Sequence, residues 1–569
     1  MSATAVTAGL TSLVDRLLDS AAAEAGERPP ERTIEVTRRE GPGPDVAVRL
    51  ASAAWAKGHA GRRALEVLDG DARVGEVRAR GSRFTVRFSD EHVTAVGAAL
   101  EAGALGLGST LLRGQTWGVE FCDPNANKAL HVGHLRNLAL GNALAALLAG
   151  AGAGVARQSI ICDIGRNVCE AMAGYVTAPP GDDPAAAGLK GDHFVGRCYS
   201  RYVASVTAPQ APSPIAADAP IERELRAAGD LADRLMRGWV AGDPDVRRVW
   251  RRLRRWALDG QQETLARLGI RFDRVLFESD AFASLRALVR RGLDSGAFAH
   301  GDDGALVFRT GRQEYPVLPL VRPDGFPTEH LRVMALWYMP GPAARLDACV
   351  HVVGHEWVAS TDCRELAAAR LGERPMFASY LRLPHGMVVV DGDLMKSSSG
   401  RAVLVDDCLD RLAGDERARR LGDALGGPEA VARLVALGFF LDGRPPRLPI
   451  SFSWPALEAD DGAAWAWARA WAAAARGSAG SRPDPDGADP SYRFAVLQSQ
   501  VLPGLLERAA TALDPAPIAR YLTHLARWHS AARPAPPVQR VVRATLEAAL
   551  GALGLTAEEE RCPQSTTWR

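Results

Sequence analysis

Residues 116–152 read TWGVEFCDPNANKALHVGHLRNLALGNALAALLAGAG, and this stretch decides the fold. GVEF at 118–121 is short and apolar and predicts a buried strand. The segment 123–134 contains Asp, Pro and Asn and predicts a loop, while 135–152 predicts a long apolar helix that ends in Gly. RQSIICDIG at 157–165 then predicts a second strand and a turn. Strand, loop, helix and strand in this order are typical of the opening of a doubly wound α/β sheet.

The predicted loop ends in His131-Val-Gly-His134, where the helix is expected to start. A helix N-terminus has unpaired N–H groups and a partial positive charge, so it binds anions. His131 and His134 can donate hydrogen bonds to phosphate oxygens, and Gly133 lets a flat group lie against the backbone. The alternatives are a metal pair or two surface histidines. Metal-binding histidines on a helix usually lie four residues apart, so the pattern after a strand favours nucleotide binding.

A second informative segment, His385–Gly400, reads HGMVVVDGDLMKSSSG. A predicted strand leads into a turn and then into a Ser/Gly-rich loop that holds Lys396. One ammonium and several hydroxyls suit contact with a pyrophosphate leaving group, although the segment alone is more typical of a flexible surface loop. The chain has four lysines among its 68 basic residues, so a lysine kept in this loop is informative.

Length and composition limit the class of protein. The chain has 569 residues, of which 47% are hydrophobic and 24% charged. That length suggests about three to five globular domains. Because the net charge is +1, a polyanionic partner must meet local basic patches. The eight cysteines form no C-x-x-C pair, and we assign no metal ligands. With no secretory signal or membrane span in the pattern, we expect a cytoplasmic protein without membrane contact.

Changes in composition predict the domain organisation. The predicted parts are an N-terminal α+β domain at 1–115, a parallel-sheet domain at 116–400 with a helical insertion at about 175–270, a connector at 401–490 with a low-complexity linker at 475–490, and a helical domain at 491–569. Within the first domain, Arg83–Phe88 predicts a strand. Three further strands, Gly304–Arg309, Ala348–Gly354 and Gly386–Val390, are expected to complete the parallel sheet.

The motifs together resemble the class I aminoacyl-tRNA synthetases, with HVGH in place of the HIGH signature and MKSSSG in place of the KMSKS loop. Their context narrows the resemblance to arginyl-tRNA synthetase. Further stretches follow that family's order, namely CDIGRN, ARLGIRFDRVLFES, LVRPDGFPTEHLR and ALDPAPIARYLTHLARWHSA. The resemblance covers nearly the whole chain. It implies a Rossmann-like catalytic core and an all-helical anticodon-binding domain at the C-terminus.

The resemblance implies a two-step reaction. The amino acid carboxylate attacks the α-phosphorus of ATP, with Mg²⁺, and gives an aminoacyl adenylate and pyrophosphate. The terminal adenosine of tRNA then takes the aminoacyl group. The residues assigned in this way to the nucleotide and its phosphates are His131, Gly133, His134, Gly386, Met387, Lys396, Ser397 and Ser398, with Lys128 compensating for the missing second lysine of the loop. The implied partners are ATP, tRNA and arginine or another cationic amino acid, and the implied state is a monomer.

The amino-acid pocket departs from the family pattern. The resemblance places Glu120 against the cationic side chain and Asn125 at the backbone end of the amino acid. Glu329 stands where the family has Tyr, Val333 where it has the guanidinium-binding Asp, and Trp357 where it usually has Gln. Losing a buried charged partner costs about 3–5 kcal/mol. Glu329 lies one helical turn before Val333, so the pocket is either a rebuilt cationic site or a site for a different amino acid.

Two basic stretches predict contacts with tRNA. The helix RRVWRRLRRW at 247–256 has six arginines, and Arg251 and Arg255 are its candidates for acceptor-stem phosphates. The alternative is a solvated face whose apolar residues, Val249, Leu253 and Trp256, pack inward.

The second basic stretch lies in the C-terminal domain, where Arg520 and Arg527 are the phosphate candidates. Tyr521, Trp528 and His529 could stack on anticodon bases. Tyr521 and Trp528 are seven residues apart, which favours one packed helix face instead.

Three functions stay open on the sequence alone. The first is an arginine–tRNA ligase. The second is an enzyme of the same chemistry that charges a different amino acid or supplies an adenylate or aminoacyl-tRNA to a biosynthetic pathway. The third is a non-catalytic tRNA-binding regulator. The two histidines, Gly133, Lys128 and Lys396 argue against the third, because a dead site has no chemical need for them.

Overall fold

The protein is described by a computed structural model over residues 10–28, 31–37, 43–102, 108–179, 181–207, 220–338, 346–371, 377–390, 393–394, 402–478 and 488–556. Within these ranges no helix combines the length and the apolar character that a membrane crossing requires.

The N-terminal part is an antiparallel sheet covered by helices, as the α+β prediction states. Its elements are α1 (Leu10–Glu24), β1 (Arg32–Val36), β2 (Val46–Leu50), α2 (Ala53–Lys57), α3 (His59–Asp69), β3 (Val74–Arg80), β4 (Arg83–Phe88) and α4 (Asp90–Glu101). The strand order is β1-β2-β4-β3. Phe84, Val86 and Phe88 alternate along β4 and are buried, so the predicted strand is confirmed.

The central part is built on a parallel sheet. Its elements are β5 (Thr116–Glu120), α5 (Val132–Gly150), β6 (Gly154–Ile161), α6 (Arg166–Val176), α7 (Pro184–Ala187), α8 (Gly191–Thr207), α9 (Pro220–Ala241), α10 (Pro244–Arg267), β7 (Arg274–Phe277), α11 (Leu285–Asp294), β8 (Phe298–His300), β9 (Leu306–Arg309), β10 (Val317–Val321), α12 (Glu329–Trp337), β11 (Leu346–Gly354), α13 (Val358–Arg370) and β12 (Phe377–His385). The sheet order is β12-β11-β5-β6-β7, and every pair is parallel. Helix α5 begins earlier than the predicted 135 because His131 is already its N-cap.

Two of the three strands expected to complete this sheet belong elsewhere, so that prediction is wrong for them. β9 pairs antiparallel with β8 and β10 in a separate sheet, and Val388–Val390 joins a third sheet. Of the three predicted strands, only Ala348–Gly354, which is part of β11, lies in the parallel sheet. Its neighbour β12 was not predicted as a strand. β12 is an edge strand with several exposed or half-buried residues, so it lacks the continuous apolar run by which a central parallel strand is recognised.

The C-terminal part is mainly helical. Its elements are β13 (Val388–Val390), β14 (Asp393–Leu394), α14 (Val405–Gly414), α15 (Glu416–Leu425), α16 (Pro428–Phe439), β15 (Ile450–Phe452), α17 (Trp454–Glu458), α18 (Ala463–Gly477), α19 (Pro490–Ser499), α20 (Leu502–Ala512), α21 (Ala516–Ala532) and α22 (Pro536–Ala552). Helix α18 packs against α21 and α22, so the predicted connector and the last helices share one core.

The three parts pack against one another. Helix α5 of the central part contacts α16, α20 and α22. Arg493 on α19 donates to the buried carboxylate of Asp45 in the N-terminal part, with Nη2 and Oδ2 2.6 Å apart. A buried ion pair of this kind is costly to break, so the N-terminal part is firmly docked on the C-terminal helices.

Candidate active site

A cavity of about 410 Å³ opens at the carboxyl ends of the parallel strands. Its walls include Glu120, Ile160, Gly354 and His385, which lie at or beside the ends of β5, β6, β11 and β12. The N-terminus of α5 closes one end. In open α/β sheets, ligands bind in the crevice outside the carboxyl ends of the strands. The fold therefore places its binding crevice where the two sequence motifs meet.

The histidine motif forms the N-terminus of α5. His131 is the N-cap, and its backbone N–H donates to Nδ1 of His134 at 3.1 Å. The Nδ1 of His134 is thus an acceptor, which leaves the proton on Nε2 as a free donor. The two imidazole rings lie 3.9 Å apart, and Gly133 lines the cavity between them. The predicted phosphate-binding group is present as one compact unit.

Both histidines are neutral at pH 7. Burial lowers the pKa of His131 to about 3, and the nearby positive charge of Lys128 adds to this shift. Burial also lowers the pKa of His134 well below its usual value, with further contributions from His131 and Lys128. Burial lowers the pKa of Lys128 itself. A bound polyanion would offset these shifts, so the site is electrostatically suited to phosphate.

Backbone hydrogen bonds join the first motif to the residues that follow the second motif. Val132 N donates to Val403 O, and Val405 N donates to Leu130 O, each at 3.0 Å. His131 and Leu404 form an antiparallel bridge between these bonds. The segment that follows the second motif is therefore fixed beside the first. Lys396, Ser397 and Ser398 lie outside the described residues.

Arg136 on α5 fixes the backbone around Met387, another residue of the cavity wall. Its guanidinium donates to the backbone oxygens of Met387, Pro446 and Leu448, the bond to Pro446 being 2.6 Å long. Burial lowers the pKa of Arg136 to about 10, which still leaves it charged at pH 7. Because Gly386 N also donates to Pro446 O at 3.0 Å, Arg136 and this backbone bond together set the position of Met387.

Asn137, the next residue on α5, ties three strand ends together. Its amide nitrogen donates to Val352 O at 2.8 Å and lies 3.1 Å from Nε2 of His385. Its oxygen accepts from Cys122 N at 2.7 Å. Cys122 has a φ of 53°, a conformation that is uncommon for a residue with a side chain. Asn137 thus stabilises the strained turn that follows β5 at the cavity.

Glu120, predicted to face the amino acid, is a buried carboxylate of the cavity. Only 1% of the residue is exposed, and its two oxygens accept from Gln158 Nε2 at 2.7 Å and from Tyr380 Oη at 3.2 Å. Burial raises the pKa of Glu120, while the charge of His351 opposes that shift. A bound cation would offset the free-energy cost of burying this carboxylate, which agrees with the predicted position of Glu120 against a cationic side chain.

Two carboxylate–histidine clusters in the described residues have a spacing that a metal ion could use. The first is Glu120, Asp123 and His351, and the second is Asp192, His193 and Asp406. In the first, His351 Nε2 lies 3.2 Å from Asp123 Oδ2. In the second, Lys190 donates to Asp406 and already supplies a positive charge. Hydrogen bonds and ion pairs account for both arrangements.

Glu329, predicted to replace the carboxylate missing at Val333, lines the cavity but has a cationic neighbour of the protein's own. Its carboxylate lies 3.9 Å from Nη1 of Arg364, a residue of α13 that also lines the cavity. Val333 is buried and lines the same wall. Glu278, a further cavity carboxylate, pairs with the buried Arg332 at 2.5 Å. Burial raises the pKa of Glu278 to about 7.

The remaining predicted contacts lie at the rim of the cavity. Trp357 is 50% exposed and ends the short helical turn before α13. Asn125 is half-buried, and its backbone oxygen accepts from Gln261 Nε2 at 3.0 Å. Both residues line the cavity together with Glu120, so the structure brings the predicted amino-acid contacts into one place.

The arginine-rich helix α10 is partly structural. Arg254 pairs with the buried Asp163 at 2.7 Å, and Arg247 stacks on Trp239. Arg251 and Arg255 are exposed, as a contact with tRNA requires. The apolar residues expected to pack inward do so, since Leu253 is buried and the half-buried Val249 and Trp256 pack against the same core. Trp250, which was not expected to face inward, is buried there as well.

The aromatic residues of α21 are core residues. Tyr521 is buried and donates to Gln498 O at 2.8 Å, and His529 is 4% exposed. Trp528 packs on Phe494 with ring centroids 4.6 Å apart. Stacking of Tyr521 and His529 on bases is therefore wrong, and the packed helix face is confirmed. Arg527 is exposed, whereas Arg520 already donates to Gly443 O.

Sequence reasoning missed four cavity residues or supports, namely Arg136, Asn137, His351 and Arg364. Arg136 and Asn137 lie on the helix that starts with the histidine motif, within one turn of His134. For Asn137 that spacing was a usable signal, because Asn137 follows His134 by three residues and residues three apart share a helix face. Nothing in the pattern around Arg364 distinguishes it from a solvated arginine.

Comparison with known proteins gives consistent findings. A family model described as "tRNA synthetases class I (R), catalytic domain" matches residues 96–178. Arginine–tRNA ligase of Treponema pallidum is 33% identical over 372 residues, covering 64% of this chain and 60% of the relative. That of Bacteroides thetaiotaomicron is 31% identical over 332 residues, covering 56% and 55%. The matched region thus spans less than two thirds of either relative.

Solved structures match over more of the chain. Arginyl-tRNA synthetase of Thermus thermophilus aligns with a TM-score of 0.69 and 24% identity, covering 96% of this chain and 99% of that one. The Plasmodium falciparum enzyme aligns with a TM-score of 0.64 and 11% identity, covering 96% and 98%. These likenesses, together with the parallel sheet and the helical C-terminal part, show that this chain has the class I aminoacyl-tRNA synthetase fold.

Proposed function

We propose that this chain is an ATP-dependent aminoacyl-tRNA synthetase and that arginine is its amino acid. The observation that carries the proposal is the single cavity at the strand ends. Its lining includes both the histidine-capped N-terminus of α5 and the buried carboxylate of Glu120. The arginine–tRNA ligases that share about a third of their matched residues with this chain support the choice of amino acid.

The chemistry needs positioning and charge stabilisation more than covalent catalysis. The amino acid carboxylate forms a bond to the α-phosphorus of ATP while the bond to pyrophosphate breaks. His134, with its proton on Nε2, and His131 donate hydrogen bonds to the phosphate oxygens as charge builds up. The positive end of α5 and the ammonium of Lys128 add to this stabilisation. Lys396, Ser397 and Ser398 are proposed to hold the leaving pyrophosphate.

Gly133, Gly386 and Met387 are proposed to border the adenosine. Mg²⁺ is a hard cation that prefers oxygen ligands and is commonly held through substrate phosphates. His131, His134 and Met387 offer nitrogen and sulphur at this end of the cavity, so we propose that the ion enters with ATP. Bound there, it would neutralise phosphate charge.

Glu120 and Asn125 are proposed to bind the amino acid, with Glu120 facing the guanidinium. Exposed arginines on two separate helices, Arg251 and Arg255 on α10 and Arg527 on α21, are proposed to contact tRNA phosphates. Arg520 is a weaker candidate, since it is held by Gly443 O.

The predicted domain bounds, the monomeric state and a cytoplasmic location are likewise proposals. The seven cysteines in the described part of the chain are free thiols, which is usual for proteins of a reducing compartment.

A second candidate is a synthetase of the same chemistry for a different amino acid. Val333 offers no charge to a guanidinium, and Arg364 places a cation of the protein's own in the pocket. These two residues favour that alternative over a non-catalytic tRNA-binding regulator.

ATP–pyrophosphate exchange tests the proposal, using purified protein, total tRNA and each proteinogenic amino acid in turn. We expect exchange with arginine and loss of the signal when arginine is omitted. Exchange with another amino acid alone would establish the second candidate. Silence with all twenty, from protein with a cooperative thermal transition, would overturn the proposal.

A further inference from the structure

The amino-acid cavity contains a guanidinium that belongs to the protein. Arg364 is 5% exposed, on the helix that follows the rim residue Trp357. Its Nη2 donates to Thr361 Oγ1 at 3.2 Å, and its Nε has no hydrogen-bond partner among the described residues. A buried guanidinium usually has most of its five N–H donors satisfied. Arg364 therefore has spare donors at the wall of a binding cavity.

The acid nearest to Arg364 is held only loosely. Glu329 lies 3.9 Å away, beyond hydrogen-bonding distance, and its side chain is 47% exposed. Within the described residues the pair is incomplete on both sides, since Nε of Arg364 has no acceptor and no hydrogen bond reaches the carboxylate of Glu329. Among the described residues, the buried Glu120 accepts hydrogen bonds from two uncharged groups, Gln158 and Tyr380, and Nε2 of His351 lies 3.7 Å from it. The cavity offers carboxylate acceptors and guanidinium donors together.

We infer that Arg364 is a specificity-determining residue. It lowers the preference of the enzyme, measured as kcat/KM, for an amino acid with a guanidinium side chain over one with a planar, neutral side chain that carries a carbonyl oxygen. The inference rests on the proposed synthetase activity. A substrate guanidinium has donors alone, so it satisfies Glu120 but repels Arg364 and competes with it for Glu329. A ureido head keeps N–H donors for the carboxylates and brings an oxygen that can accept from Arg364.

L-Arginine and L-citrulline are the matched probes, because they differ by one NH₂⁺ group replaced by oxygen. The experiment measures kcat and KM for each in ATP–pyrophosphate exchange with saturating tRNA. It compares wild-type protein with Arg364→Leu and with Arg370→Leu, an exposed arginine on the same helix. Glu329→Gln removes the half-exposed carboxylate with little risk to folding, and Arg364→Gln serves if the leucine variant does not fold.

We expect Arg364→Leu to raise the arginine/citrulline ratio of kcat/KM at least tenfold, mainly through a lower KM for arginine. A tenfold change corresponds to about 1.4 kcal/mol. Glu329→Gln should lower the ratio, and Arg370→Leu should leave it unchanged. A ratio that stays constant or falls in the folded Arg364 variants would overturn the inference while leaving the synthetase activity standing. Wild-type protein that activates neither amino acid would overturn both.

Discussion

The part of the cavity proposed to bind the nucleotide (the nucleotide end) and the part proposed to bind the amino acid (the amino-acid end) are built in different ways. The nucleotide end is formed by one helix terminus, with His131 and His134 in a local hydrogen bond and the backbone of 403–405 paired beside them. The amino-acid end is formed by side chains from several elements, among them Glu120 on β5, Glu329 on α12 and Arg364 on α13.

The difference teaches which part of such a site can change. Binding by a helix terminus depends on backbone N–H groups and on a few adjacent residues, so a substitution at the amino-acid end leaves it intact. An end made of separate side chains can change one contact at a time, and here its charges include an arginine that faces the substrate space. The same reaction can therefore be kept while selectivity shifts.

The largest effect should come from His134→Ala, which tests whether the nucleotide end carries the chemistry. We expect exchange to fall about 10²–10³-fold, because a preorganised donor to the transition state is lost. His300→Ala, at an exposed histidine outside the cavity, is the control. If the His134 variant exchanged pyrophosphate at the wild-type rate, the helix terminus would have no catalytic role and the difference between the two ends would lose its meaning.

Glu120→Gln tests the other end. Removing a charged acceptor from a substrate cation should raise the KM for arginine about 10–100-fold, as expected for a charged hydrogen bond of about 1.5–3 kcal/mol. The KM for ATP should stay the same, because the hydrogen-bond partners of Glu120 are Gln158 and Tyr380 and not the two histidines. Steady-state exchange kinetics over both substrates give the two constants. Equal increases in both would mean that the two ends are not independent.

Gly386→Ala tests how tightly the nucleotide end depends on backbone packing. A Cβ at Gly386 would overlap the backbone of Leu448 and Pro449. We expect a loss of about 1–3 kcal/mol in the free energy of unfolding, with a raised KM for ATP. Urea unfolding and exchange kinetics measure the two effects. Gly414→Ala is the control, since a Cβ there meets nothing. Equal stability of the two variants would argue that the 446–449 segment is free to move.

The smallest effect concerns pH. Burial lowers the pKa of His385 to about 4, whereas the unfolded chain binds that proton near 6.5. The folded state therefore gains stability from neutral His385 above pH 6.5 and loses it as pH falls towards 4. Between pH 6.5 and 5.5, wild type should lose up to about 1.4 kcal/mol more than His385→Asn. Urea unfolding at several pH values measures this, and parallel curves would contradict the shift.

Much of the nucleotide end could be predicted from the sequence because its signals are local. The strand, the turn and the helix follow each other between residues 116 and 150, and His131 and His134 lie within one turn. β12 escaped prediction because an edge strand mixes polar and apolar residues. Arg364 escaped because its burial depends on how α13 packs on the sheet, and a single helix sequence does not encode that.

The hydrogen bond from Arg136 to Pro446 joins residues 310 apart in the chain. During synthesis, α5 leaves the ribosome long before the segment that holds Met387 in place. A nascent chain thus carries both histidines without a finished nucleotide end. Under the proposed function, the order of synthesis delays ATP use until residue 446 has been made, and a product truncated before that residue would lack the activity from the start.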